Sequence, residues 1–194
     1  MNFLAHIYLS FGDADIAIGN FIADSIRGRA YEEYPDRIQQ GIHLHRAIDT
    51  FTDTHPTTRK SSKRLHPKYS HYSRVIVDIF YDHFLARNWQ AYSDTPLEAF
   101  VNEFYDLLES RYAMLPPNVQ RMMPYMISDN WLLSYAEMDG IARVLEGMNR
   151  RTRLRSGMDR AIEDLWLHYD KFETEFQSFF EELVIFSRQK FDTL

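Results

Sequence analysis

Four carboxylates and three imidazoles carry most of the chemistry this chain can offer. In Gly41-Ile42-His43-Leu44-His45-Arg46-Ala47-Ile48-Asp49, His45 and Asp49 lie four apart. A helix stacks such a pair on one face, while His43 points to the other side. Ile42, Ile48 and Thr52 share the His45 face, so these ionisable groups sit among residues that belong in a core. His-x-x-x-Asp at that spacing presents a nitrogen and an oxygen to one cation, and it serves equally as a salt bridge. A second pair, Asp78 and Asp82, interrupts the apolar run Val75-Ile76-Val77-Asp78-Ile79-Phe80-Tyr81-Asp82-His83-Phe84-Leu85. Two like charges one turn apart in a buried helix need a cation, a shared proton or backbone donors. A basic partner or a capped backbone meets that need as well as a metal does.

Asn20, Asp24 and Arg27 follow helical spacing on a further segment, where Gly19-Asn20 in mid-helix is costly by propensity and points to close packing or function. Taken alone, that face reads equally as the wet side of an amphipathic helix. His6 lies inside an apolar N-terminal run and reads, alone, as a core histidine. Other chemistries are missing from the sequence. There is no cysteine, so thiolate zinc, iron–sulfur and Cys-nucleophile sites are excluded. Glu-x-x-His, His-Glu-x-x-His, Gly-x-Gly-x-x-Gly, P-loop and Gly-x-Ser-x-Gly patterns do not occur. What remains is an oxygen-rich set with few imidazoles, which suits Mn²⁺ or Mg²⁺ better than a soft-ligand metal. Such a cation polarises a phosphoryl oxygen and activates water.

The elements that must position these residues read as helices. The 194 residues include only seven glycines and seven prolines, against 45% apolar and 15% aromatic residues. That balance argues against a hairpin-rich β protein and against disorder. Asp13 caps a helix predicted to run to about Gly28, and Pro35 opens one through Phe51 that His55-Pro56 interrupts. A basic stretch to Ser70 reads as irregular or short-helical. Thr95-Pro96-Leu97-Glu98 reads as a capping box. After Gly157, Ile162, Leu165, Trp166, Tyr169, Phe172 and Phe176 predict one apolar helical stripe to about Phe191. The expected fold is all-α, one helical domain over 1–194.

A net charge of −6 argues against broad nucleic-acid binding. No window of 18 apolar residues occurs and no signal peptide is evident, so a cytoplasmic protein without a membrane span is expected. Arg59, Lys60, Lys63, Arg64, Lys68 and Arg74 nevertheless form a basic run without acids, and Arg150, Arg151, Arg153 and Arg155 form another. Both point to an anionic partner.

A resemblance adds to this reading. Met1-Asn2-Phe3-Leu4-Ala5-His6, Gly19-Asn20-Phe21-Ile22-Ala23-Asp24 and Gly41-Ile42-His43-Leu44-His45-Arg46 with Asp49 and Asp53 resemble the bacterial acyl carrier protein phosphodiesterase family. So do Asp78, Asp82-His83-Phe84-Leu85 and Trp89, Asn130-Trp131-Leu132 through Asp139, and Gly147-Met148. The resemblance implies hydrolysis of the phosphodiester that joins 4′-phosphopantetheine to a serine of holo-acyl carrier protein, an acidic protein of fatty acid metabolism. It implies dependence on a divalent metal, typically Mn²⁺. It also implies a distant similarity to HD-type helical phosphohydrolases, although here the doublet is reversed, as Asp82-His83.

The reading that joins residues and resemblance places Asp24, His45, Asp49 and Asp82 around a metal, with His6 as a further ligand. His83 is expected to orient a ligand or protonate the leaving serine oxygen, and Arg46 and Arg27 to hold phosphate. An HD-type nucleotide phosphohydrolase and a non-catalytic helical interaction protein are the alternatives.

Overall fold

In the computed structural model, which describes all 194 residues, the chain forms helices and short 3-10 turns and no strand. The helices are α1 (Phe3–Tyr8), α2 (Ala14–Ile22), α3 (Asp36–Thr54), α4 (Pro56–Tyr69), α5 (Ser73–Arg87) and α6 (Leu97–Ser110). They continue as α7 (Pro117–Ser128), α8 (Trp131–Ser134), α9 (Met138–Arg151), α10 (Ala161–Leu167) and α11 (Tyr169–Phe191). Buried apolar side chains form one contiguous cluster of 46 residues. At its centre lies α5, buried without a break from Ile79 to Ala86 and packed against α1, α4, α9 and α11. Tyr81 and Phe84 of α5 meet Phe176 of α11 at ring-centroid distances of 5.6 and 5.9 Å, separations that suit aromatic pairs.

The helix cores fall where apolar spacing predicts them, and the ends differ for identifiable reasons. Asp13 does cap α2, accepting from the Ile16 amide at 3.0 Å, but the α-helix stops at Ile22 and a 3-10 turn carries Asp24. The capping box at Thr95 does not form. Pro96 is extended (φ −56°, ψ 142°) and takes the N-cap position itself, which leaves Thr95 outside and Glu98 one place too early. The stripe after Gly157 is two helices, broken at His168 (φ −126°, ψ 24°). Trp166, in α10 before the break, falls off that helix's buried face of Ala161, Asp164 and Leu165 and is 64% exposed.

The basic stretch is a full helix of 14 residues, α4. Its charges are matched from across the fold rather than along the chain. Arg64 grips Glu175 of α11 through two bonds of 2.8 and 2.7 Å, with Lys60 at 3.3 Å from the same carboxylate. Lys68 and Tyr69 share Asp164 at 2.7 and 2.6 Å. The run is therefore not one free basic patch.

Glu175 is buried (6% exposed) and also accepts from Ser61, which meets the Tyr81 hydroxyl at 2.8 Å. Although burial opposes its charge, Arg64 and Ser61 hold its carboxyl below the ordinary range. This pair thus stabilises the fold above the usual glutamate pKa, and the contribution is lost as pH falls through the lower folded-state value. Arg64→Ala strands a buried carboxylate and is expected to cost about 3 kcal/mol at neutral pH. Urea unfolding of both proteins at neutral and acid pH checks this: the deficit should shrink as acid neutralises Glu175. A deficit independent of pH would assign the loss to Arg64's packing over Phe172.

Candidate metal centre

Three helices and one turn bring the polar residues together. α1 supplies His6, α2 supplies Asn20, the turn after it supplies Asp24, and α3 supplies His45 and Asp49. They meet because α2 and α3 cross backbone to backbone. A Cβ on Gly19 would lie 2.1 Å from the Ile38 carbonyl oxygen and 2.9 Å from Gly41 Cα, and one on Gly41 would lie 2.4 Å from the Ile16 carbonyl oxygen. Only glycine fits at either place.

Asn20, fully buried, orients both imidazoles. Its side-chain NH₂ donates to the His6 carbonyl (2.7 Å) and to Ser10 Oγ (3.2 Å). That fixes its Oδ1 as the acceptor from His6 Nδ1–H at 2.7 Å. Its main-chain carbonyl accepts from His45 Nδ1–H at 2.8 Å. With both Nδ1 atoms occupied as donors, both Nε2 atoms face one point. The rings stack 4.0 Å apart at 18°. Asp49 stands between the two Nε2 atoms, 3.2 Å from His6 and 3.0 Å from His45. Asp24 reaches His45 Nε2 at 3.3 Å from the open side, 77% exposed.

His6 Nε2 is a buried nitrogen that makes no hydrogen bond, even though Asp49 is near. An orphaned nitrogen lone pair, a second imidazole and a carboxylate, with donor atoms all within 4.8 Å of one another, fit a divalent cation. The charges follow from these contacts. Burial, then the neighbouring His45, push His6 down to about 4. Burial opposes charge on His45 too, but Asp24 and Asp49 overcome it and lift His45 to about 9. Asp49, despite burial, is held well below the ordinary carboxylate range by His45 and His6, and Asp24 is lowered chiefly by its bond to His45. One imidazolium between two carboxylates therefore occupies the place a cation would take.

Asp82 departs from its expected position among these ligands. It is fully buried, and its two oxygens accept from the Asn2 amide (3.2 Å) and the Leu4 amide (2.8 Å), so it caps α1 from a distant helix. Burial raises its pKa to about 7 against the pull of the Met1 amino group and those amides. Asp78 pairs with the Met1 amino group at 3.1 Å. His83 is also elsewhere. Its Nδ1 donates to the Tyr135 carbonyl (2.8 Å), its Nε2 meets the Tyr169 hydroxyl (3.0 Å), and it lines a separate cleft with Trp166. Arg27 is exposed, and Arg46 is exposed over the Tyr31 ring at 5.1 Å. Neither contacts the cluster.

A cleft of about 810 Å³ adjoins the cluster through Asp24. Phe3, Trp131, Val144 and Met148 give it apolar wall, and Arg143 and Arg151 give it charge. The sequence did not single out Arg143 or the orienting role of Asn20, and it pointed to Trp131 only within a segment of the resemblance. Only the expensive Gly19-Asn20 step pointed to the role of Asn20.

A family model described as acyl carrier protein phosphodiesterase matches residues 1–183. The chain belongs to that family. It is 33% identical over 185 residues to the acyl carrier protein phosphodiesterase of Pectobacterium atrosepticum, covering 95% of this chain and 96% of the relative. The proteins of the same name from Enterobacter sp. and Escherichia coli are each 35% identical, over 193 and 192 residues, 98% of this chain and 99% of theirs. No solved structure matches the chain. No helix is long and apolar enough to cross a membrane.

If Asn20 sets both rings, Asn20→Leu should weaken Mn²⁺ binding by about 10–100-fold in calorimetry. It should also cost about 1–3 kcal/mol through the bonds lost at His6 and Ser10. Asn20→Asp keeps the acceptor for His6 and should recover part of the affinity. A folded Asn20→Leu protein that binds Mn²⁺ like its parent would show that the rings are oriented without the side chain.

Proposed function

We propose that the protein is a divalent-metal-dependent phosphodiesterase that releases 4′-phosphopantetheine from holo-acyl carrier protein and leaves the apo carrier. The observation that carries this reading is the convergence of His6, His45 and Asp49, with Asp24 at the edge, beside a cleft large enough for an extended arm. The family's name supplies the bond and the carrier, and the donor set supplies the means.

His6 Nε2, His45 Nε2 and Asp49 would hold the cation, with Asp24 completing the set from the cleft side. Mn²⁺ suits two imidazoles and two carboxylates, and Mg²⁺ is the alternative. A cation bound there supplies charge neutralisation for a phosphodiester oxygen and a lowered pKa for an attacking water. The chain's own residues do the rest. Asn20 holds both imidazoles as Nδ1 donors, so that each turns Nε2 toward Asp49. Asp24 is exposed and hydrogen-bonded, so it stays ionised and can accept a proton at its free oxygen. Arg143 and Arg151 line the same cleft as Asp24 and would hold the phosphate in a guanidinium fork, the role first expected of Arg27 and Arg46. Phe3, Trp131 and Met148 would exclude water along the arm.

Incubation with holo-acyl carrier protein and Mn²⁺, read by mass spectrometry, tests this. Loss of the prosthetic arm is expected, abolished by chelation and restored by Mn²⁺. Asp49→Asn and His45→Ala should each lower turnover by about 100-fold or more. Asp82→Asn should instead act mainly on stability, through α1. Turnover of nucleotides in preference to holo-carrier would favour the HD-type nucleotide alternative. A purified protein with no metal and no thermal shift with Mn²⁺ would favour a non-catalytic role.

A further inference from the structure

A second cleft, of about 510 Å³, lies where the ends of α3 and α4 meet the start of α5. Asp78 stands in the wall of both clefts, so this one begins a single side chain away from the Met1 amino group, which Asp49 also approaches, at 3.8 Å. Only one of the residues lining it, Val77, is apolar. Arg59, Lys63 and His66 enter it from one face of α4, at i, i+4 and i+7. The helix thus sorts its charges. Lys60, Arg64 and Lys68 are matched by Glu175 and Asp164 behind it. Lys63 has no acidic partner, and Arg59 has only the Asp53 main-chain carbonyl, at 3.2 Å.

The two acids that reach this cleft are already engaged. Asp53 pairs with Arg74 at 3.5 Å and Asp78 with the Met1 amino group at 3.1 Å. Of the hydroxyls that line it, Thr58 donates to the Thr52 and His55 carbonyls, Ser73 to the Ser70 carbonyl and Ser62 to Ser73, which leaves Ser70 open. Thr52 joins them, 4% exposed, with an Oγ1 that has no hydrogen-bond partner. Ser70, at the turn between α4 and α5, is held at φ 50° and ψ −129°, a conformation non-glycine residues avoid.

We infer that this cleft binds the phosphate groups of a small ligand, and that a diphosphate fits it best. Unmatched guanidinium and ammonium groups beside the unpartnered Thr52 hydroxyl favour an anion with oxygens on several sides. A tetrahedral phosphate meets that description, and a planar carboxylate at the end of a partner's side chain does not. The cationic face from Arg59 to His66 runs about 10 Å along the helix, longer than one phosphate and suited to two in a row. The site is independent of the phosphodiesterase reading, because none of its cations belongs to the proposed metal set.

The test is calorimetric titration of inorganic pyrophosphate into the full chain at low salt, after metal has been stripped and the chelator dialysed away. Saturable binding of one pyrophosphate is expected. Arg59→Ala and Lys63→Ala should each weaken it by about tenfold, while Arg151→Ala in the other cleft and Lys60→Ala on the back of α4 leave it unchanged. Both cleft residues are exposed, so circular dichroism should show their variants folded. Absence of saturable binding overturns the site. So does equal weakening by Lys60→Ala, which would mean attraction to net charge alone, or loss through Arg151→Ala, which would put the anion in the other cleft. Orthophosphate binding as tight as pyrophosphate would overturn the two-phosphate assignment. Because no turnover is read, failure here leaves the phosphodiesterase reading standing, and the reverse also holds.

Discussion

The contact between Gly19 and Gly41 governs the rest of the structure. Two helices that cross with no side chain between them bring main-chain atoms of one within reach of side chains of the other. Each glycine costs its helix about 1 kcal/mol relative to alanine, and the crossing offsets this by placing the Asn20 carbonyl 2.8 Å from His45 Nδ1. The same closeness lets Asn20 reach His6 on a third helix. Helix packing and imidazole orientation are here one constraint. A spacer as small as a methyl group would push α2 from α3 and open the whole cluster.

The parts legible in the sequence were those set by local periodicity. His45 and Asp49 share a face because the helix repeats every 3.6 residues. Asp49 meets His6 and His45 meets Asp24, although His6 alone read as a core histidine and the Asp24 face as equally a wet one. Asp82 misled because a buried carboxylate solves two problems with the same atoms. It can bind a cation or satisfy orphaned helix amides, and only the position of α1 decides which. His83 misled through adjacency, since neighbouring residues on a helix point about 100° apart. The basic run misled because charge along a chain says nothing of acids from distant helices. Glu175 and Asp164, more than 90 residues further on, take three of its six cations.

Charge in this protein is arranged by side of helix rather than by stretch of sequence. α4 turns its matched cations toward α10 and α11 and its unmatched ones toward open space. α5 divides its two aspartates in the same way. Asp82 faces inward to the backbone of α1, and Asp78 faces the Met1 amino group and both clefts. A net charge of −6 therefore coexists with two cation-lined concavities, each with its acids already engaged or set at one edge.

The partner of His45 Nδ1 is a peptide carbonyl, which has a consequence for inheritance. Every amino acid at position 20 carries that carbonyl, so no point mutation there can delete the bond, and a scan that trims side chains one by one passes over it. The lesions that remove it are displaced to positions 19 and 41, where a gained methyl moves the peptide itself. A survey of harmful variants in this gene would thus mark two chemically inert glycines as indispensable, and would mark position 20 for its side chain rather than for the carbonyl they serve.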